Sequence, residues 1–256
     1  MDAPSVGLGR RLLLVGLLSF YALLYAGGLI SYVILGGPPA DSLWTAPAFL
    51  MLAALLVLWG AARRDRQLLV GCGLLALAVE CVGVTWGFPF GRYRYTDALF
   101  PQVLGVPLAV GCAWIVLLAY VSQLVERCRL ALPWRLVAAG AWMVGLDLVV
   151  DPLASGPLGY WRWLDGGRYH GIPASNFLGW FVLSVLLFML LGRPRSSGLL
   201  IRRIGLSVLL FFGFLALLGR LWTVVLIASL LVLLHLLLVA RGASRQQPVN
   251  LGDAAL

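Results

Sequence analysis

Apolar residues fall in eight runs, near 12–35, 44–62, 68–86, 103–125, 134–150, 173–191, 204–219 and 221–240, divided by short breaks that hold most of the charge. A hydrocarbon core ~30 Å thick takes about 20 apolar helical residues. The pattern therefore predicts an all-α, polytopic transmembrane helical bundle of eight spans. The seventh run is short and only Arg220 divides it from the eighth, which leaves seven spans, with one segment broken or re-entrant, as the alternative. Residues 1–241 read as a single transmembrane domain. The tail 242–256, polar with Gln246, Gln247 and Pro248, reads as a disordered cytoplasmic segment. The first run follows Arg10 and Arg11 as a signal core would, but its 24 residues are too many for one and no small-residue cleavage site follows, so a retained anchor is expected.

Composition narrows the class. The 256 residues are 62% hydrophobic and 11% charged, with mean hydropathy +0.98, where a soluble domain carries about 25% charge. Soluble enzymes, disordered chains and disulfide scaffolds are excluded. The net charge of +9 comes entirely from arginine, 19 of them with no lysine. Fourteen lie at the N-terminus, in the second, fourth and sixth breaks and in the tail; Arg92, Arg94, Arg162, Arg168 and Arg220 lie in the others. That asymmetry places both termini in the cytoplasm, in a bacterial-type cytoplasmic membrane. It explains the basicity without nucleic acid, for which interleaved lysines and aromatics are missing. Cys72, Cys81, Cys112 and Cys128 lack metal or redox spacing, and His170 and His235 are the two histidines, so no metal is expected.

Two breaks on the arginine-poor face are unusual. The third runs from Trp86 to Asp97 and contains Phe88, Phe90, Tyr93 and Tyr95; the fifth runs from Asp151 to Pro173 and contains Trp161 and Trp163. An interfacial aromatic belt accounts for such rings, but the punctuation by Gly87, Pro89, Gly91, Pro152, Gly156, Pro157 and Gly159 specifies a backbone path a belt does not require. The two regions echo one another: Gly-Arg-Tyr stands at 91–93 and 167–169, and Gly105-Val-Pro107 precedes Trp114 as Gly171-Ile-Pro173 precedes Trp180. Proline at helix starts favours part of this locally. The other reading is a parallel helical-hairpin repeat, spans three and four matching five and six, with a site between the copies.

Ionisable residues at membrane depth are costly and mark function. Glu80 precedes Trp86 by six residues, ~9 Å down the third helix. Asp147 and Asp151 are spaced i, i+4 on one face of the fifth, with Pro152 expected to end it. Each is also open to a structural role, as a carboxylate paired with an arginine. Asn176 and Trp180 share a face of the sixth helix, where Asn176 serves equally well as interhelical glue. Buried carboxyls among aromatics suit proton chemistry on a hydrocarbon: an acid protonates an alkene, and ring faces stabilise the cation. Capture by water, by an internal double bond, or proton loss then gives a hydratase, a cyclase or an isomerase. The readings are Glu80, Asp147 and Asp151 as catalytic carboxyls, Glu80 or Asp147 being the donor and Asp151 or Asn176 positioning water. Trp86, Phe88, Phe90, Tyr93, Tyr95, Trp161, Trp163 and Trp180 line the slot. His170 is a candidate proton shuttle, or a solvated loop residue.

The run Glu80-Cys-Val-Gly-Val-Thr-Trp-Gly-Phe-Pro-Phe-Gly-Arg-Tyr-Arg-Tyr95 resembles the integral-membrane carotenoid biosynthesis family typified by the CruF-type 1′,2′-hydratases. So do Gly105-Val-Pro-Leu108 to Trp114, Leu146-Asp-Leu-Val-Val-Asp-Pro152, Trp161-Arg-Trp163 and Gly171-Ile-Pro173 through Asn176-Phe-Leu-Gly-Trp180. The resemblance covers about residues 70–185. It implies cofactor-independent hydration of the 1′,2′ double bond of an acyclic carotenoid end, as in γ-carotene, lycopene or bisanhydrobacterioruberin, to a tertiary 1′-hydroxyl. Its implied partners are the carotenoid, membrane lipid and other carotenoid enzymes. Rival readings are a membrane-embedded carotenoid cyclase, a polyprenyl transferase using Asp147-x-x-x-Asp151, and a non-enzymatic lipid or pigment carrier.

Overall fold

The computed structural model describes residues 4–195 and 198–244. Among these, eight α-helices form one bundle: α1 Pro4–Leu35, α2 Thr45–Gly60, α3 Arg63–Trp86, α4 Leu108–Val125, α5 Leu132–Ser155, α6 Ala174–Leu191, α7 Leu199–Leu218 and α8 Trp222–Ser244. Seven are long and apolar enough to cross a membrane. The short one is α2, whose 16 residues extend only ~24 Å. The short seventh span expected from the sequence is instead a 20-residue helix. It takes Arg202 and Arg203 into its first turns, and Arg203 is exposed there, where a long side chain reaches the interface along the helix. The tail residues 245–256 lie outside the described residues, while 242–244 continue α8.

α4 sits at the centre, packed on α2, α3, α5 and α7, and from Trp114 to Val125 it is buried throughout. α1 lies at the edge, with little of its apolar length buried. It is held by Tyr21, which stacks on Phe49 of α2 at 4.8 Å and shares a 2.8 Å hydrogen bond with Ser207 of α7.

The hairpins α3–α4 and α5–α6 meet through matching parts. Strand β1 (Tyr93–Tyr95), between α3 and α4, pairs antiparallel with β4 (Trp161–Trp163), between α5 and α6; Tyr93 faces Trp163, Arg94 faces Arg162 and Tyr95 faces Trp161. Near the starts of α4 and α6, Trp114 stacks on Trp180 at 4.2 Å with planes 16° apart. Both contacts join equivalent positions, the arrangement of two hairpins related by a two-fold axis. The Gly-Arg-Tyr echo takes no part in it, since 93 pairs with 163 and 167–169 lie beyond β4. A smaller hairpin, β2 (Gln102–Val103) with β3 (Val106–Pro107), leads into α4.

Two predicted helix boundaries move for stated reasons. The fourth helix starts at Leu108 rather than 103 because that hairpin occupies the interval. The fifth does not end at Pro152: it runs to Ser155 with the proline inside. Proline lacks the N–H that the Leu148 carbonyl four residues earlier would accept, and the Tyr169 hydroxyl donates to that carbonyl instead, at 2.8 Å.

Candidate active site

Beneath the arginine-poor end lies a narrow cavity, about 90 Å³ of it open to the centre of a water-sized guest and about 860 Å³ with all gaps and open solvent counted. Its walls come from α2 to α7 and its roof from β1, β4 and Tyr160. Glu80, Asp147, Asp151 and Asn176 line it with 4%, 2%, 1% and 1% of their surface exposed. The lining is otherwise apolar and aromatic: Phe90, Tyr93, Tyr95, Trp114, Trp161, Trp163 and Trp180 above, with Leu50, Val116, Leu117, Val208 and Phe212 toward the bundle.

The roof is built by backbone pairing. Besides β1–β4, the Thr96 N–H donates to the Tyr160 carbonyl at 2.9 Å and the Leu164 N–H to the Arg92 carbonyl at 2.8 Å. Asp165 accepts from the Arg92 backbone N–H and Nε, each at 2.8 Å. These side-chain bonds hold the Asp165 carboxyl below the usual carboxylate range. Phe90 is wedged into the helix layer between two glycines: a Cβ on Gly83 would stand 3.0 Å from its ring, and one on Gly179 2.8 Å.

The carboxyls differ in what surrounds them. Glu80 receives three side-chain donors: the Tyr93 hydroxyl and the Tyr95 hydroxyl (3.0 Å) on Oε2, and the Trp114 indole N–H (3.2 Å) on Oε1. Burial, then the charge of Glu80, pushes both tyrosine hydroxyls well above their ordinary titration range, so they remain protonated donors. Asp151 also receives three: Trp161 Nε1 (2.8 Å) and Trp163 Nε1 (3.0 Å) on Oδ1, and Asn176 Nδ2 (3.0 Å) on Oδ2. Asp147 receives one, from the same Asn176 Nδ2 at 2.6 Å on Oδ2; its Oδ1 has no partner among the described residues. The indole N–H of Trp180 likewise bonds to no described residue. A carboxylate has about four acceptor sites. Asp151 and Glu80 each have three filled, whereas Asp147 has one.

The structure thus brings together Glu80, Asp147, Asp151, Phe90, Tyr93, Tyr95, Trp161, Trp163, Asn176 and Trp180. It keeps Trp86 and Phe88 out: each is 73% exposed, because Gly87 ends α3 in a left-handed cap (φ 75°) and only Phe90 turns inward. His170 is outside as well, its Nε2 3.0 Å from the Thr223 hydroxyl. Trp114 and Tyr160 are lining residues the sequence reading passed over. The repeated Gly-x-Pro…Trp spacing, which singled out Trp180, applied equally to Trp114. No three His, Cys, Asp or Glu side chains converge as a metal-ligand set among the described residues.

A bisanhydrobacterioruberin hydratase of Haloarcula japonica is 34% identical over 134 residues, 49% of this chain and 45% of the relative. The match therefore spans less than half of that protein's length. No solved structure matches the chain. The model of the carotenoid biosynthesis protein family matches residues 40–239, from just before α2 to α8 and with every cavity residue included, and the chain belongs to that family.

Proposed function

We propose that the chain hydrates the 1′,2′ double bond of an acyclic carotenoid end, with Asp147 as acid. The observation that carries this is the donor inventory: of three buried carboxyls in one aromatic cavity, only Asp147 has an oxygen free to hold a proton toward an apolar guest. Protonation of C2′ by Asp147 turns the π pair into a C–H bond and leaves the cation on tertiary C1′. The indole pair Trp114–Trp180 and the ring of Tyr93 offer it π-faces. Water forms the C1′–O bond, giving its proton to Asp151, which lines the same cavity. The proton returns to Asp147 through the Oδ2 atoms that Asn176 holds together. Glu80 is a positioning residue that fixes Tyr93, Tyr95 and Trp114.

The apolar lower wall, Leu50, Val116, Leu117, Val208 and Phe212, suits the polyene continuing into the bilayer. By the arginine count the cavity opens to the outer leaflet and both termini are cytoplasmic. Reporter fusions after Arg66 and Arg129 then read as internal; an external signal after Arg66 puts the cavity at the inner leaflet. The test of function is expression in a host accumulating acyclic carotenoids. The expected product is heavier by one water, with its hydroxyl labelled from ¹⁸O-water and not from ¹⁸O₂. A more apolar isomer of unchanged mass identifies a cyclase and refutes the hydratase reading.

A further inference from the structure

At the arginine-rich end, opposite the cavity, a second polar group is enclosed by α7, α8 and the turn Glu126–Cys128 that follows α4. Arg202 of α7 is half-buried, and its NH1 nitrogen is buried without a hydrogen-bond partner among the described residues. The turn that bears Arg127 packs on α8, the helix paired with α7. His235 of α8 is 5% exposed and shares a 2.9 Å hydrogen bond through Nδ1 with the hydroxyl of Tyr120, whose ring packs on Gly205, one turn along α7 from Arg202. Glu126, the acid on the turn that carries Arg127, is engaged elsewhere, against Arg193 and, at 3.9 Å, Arg135. A guanidinium with a buried N–H left unpaired, on a helix packed beside the turn that bears Arg127, is unfavourable unless a counter-charge joins it. The topology rule explains arginines at this end but not the burial of Arg202 NH1; Arg11 and Arg63 serve that rule while exposed.

We propose that Arg127, Arg202 and His235 form a binding site for the phosphate of an anionic phospholipid headgroup. Guanidinium pairs grip phosphate oxygens bidentately, and basic pockets between spanning helices meet headgroups at this level. Next to His235, α8 exposes Leu233, Leu236 and Leu237, an apolar surface for the acyl chains. The test uses the full chain in phosphatidylcholine nanodiscs, titrated with phosphatidylglycerol or with inorganic phosphate, read by thermal shift and by lipid retained in native mass spectrometry. Phosphatidylglycerol is expected to raise Tm saturably and be retained, and Arg127→Gln and Arg202→Lys, which keeps the charge but not the fork, to weaken this at least about tenfold. Arg63→Gln is expected to leave it unchanged. An identical response of wild type and Arg202→Lys overturns the site, and an equal shift with inorganic phosphate alone overturns the lipid as its ligand. Neither readout depends on carotenoid chemistry.

Discussion

Amide substitution separates the roles of the two deepest carboxyls, because the structure makes the replacements unequal. In Asp147→Asn the amide oxygen keeps the Asn176 bond and the NH₂ enters the cavity, where Oδ1 had no partner. Stability changes by less than about 1 kcal/mol, the worth of an ordinary hydrogen bond. What disappears is the acid, worth about 10²–10⁴ in rate, or about 2.7–5.4 kcal/mol of barrier. In Glu80→Gln the amide oxygen must face the Trp114 N–H, which can only donate, and its NH₂ must face the two tyrosines, whose hydroxyls can turn to accept. Charge-assisted bonds become neutral ones, a loss of about 1–3 kcal/mol in stability, with turnover per folded molecule falling less than about tenfold. The assay is pigment conversion in membranes, normalised to folded protein, beside a thermal melt of each variant. Full activity in Asp147→Asn refutes the assignment of the acid. Loss in Glu80→Gln with activity kept in Asp147→Asn exchanges the two roles.

Trp161→Phe retains a ring but removes the N–H that Asp151 accepts at 2.8 Å. A hydrogen bond to a charged group is worth about 1.5–3 kcal/mol, so conversion is expected to fall about tenfold or more, and a change under twofold means Asp151 does not depend on that donor. The Asp165 bond to Arg92 predicts a pH limit on the roof: a depressed folded value contributes fully above the unfolded one, about 3.9, and is lost as pH falls through the lower folded value. Hydrogen exchange of residues 93–95 and 161–163, corrected for intrinsic rate, should stay constant from about pH 7 to 5 and rise below about 4; Asp165→Asn should show the raised rate throughout.

The bundle was legible because hydropathy reports span number directly, and the carboxyl stratum because depth follows from residue count along a helix. Helix ends were less so. Run length gave α7 as short because it cannot distinguish an arginine reaching out along its own helix, as the exposed Arg203 does, from one that ends it. Pro152 misled because its cost was read locally, while the compensating donor, Tyr169, stands 21 residues away from Leu148. Among the loop aromatics, type and density gave no inward or outward sense. Phe88 and Phe90 differ by a left-handed glycine and by two distant glycines, Gly83 and Gly179, that make room for one ring.

The least legible feature is the one that sets the chemistry. Glu80 and Trp114 are 34 residues apart, Asp147 and Trp180 are 33, and the two-fold arrangement gives each hairpin a carboxyl and an indole at the same cavity. In the first hairpin the longer glutamate reaches its tryptophan N–H and is closed off by two tyrosines. In the second, aspartate is one methylene shorter, Trp161 and Trp163 in the places of the tyrosines donate to Asp151 instead, and both Asp147 Oδ1 and the Trp180 N–H have no partner among the described residues. The same frame thus yields a satisfied acceptor on one side and an open carboxyl edge on the other. An acid that must protonate a hydrocarbon requires the second condition and is disabled by the first, so the proposal of Asp147 as donor rests on the break in the near-symmetry more than on the symmetry.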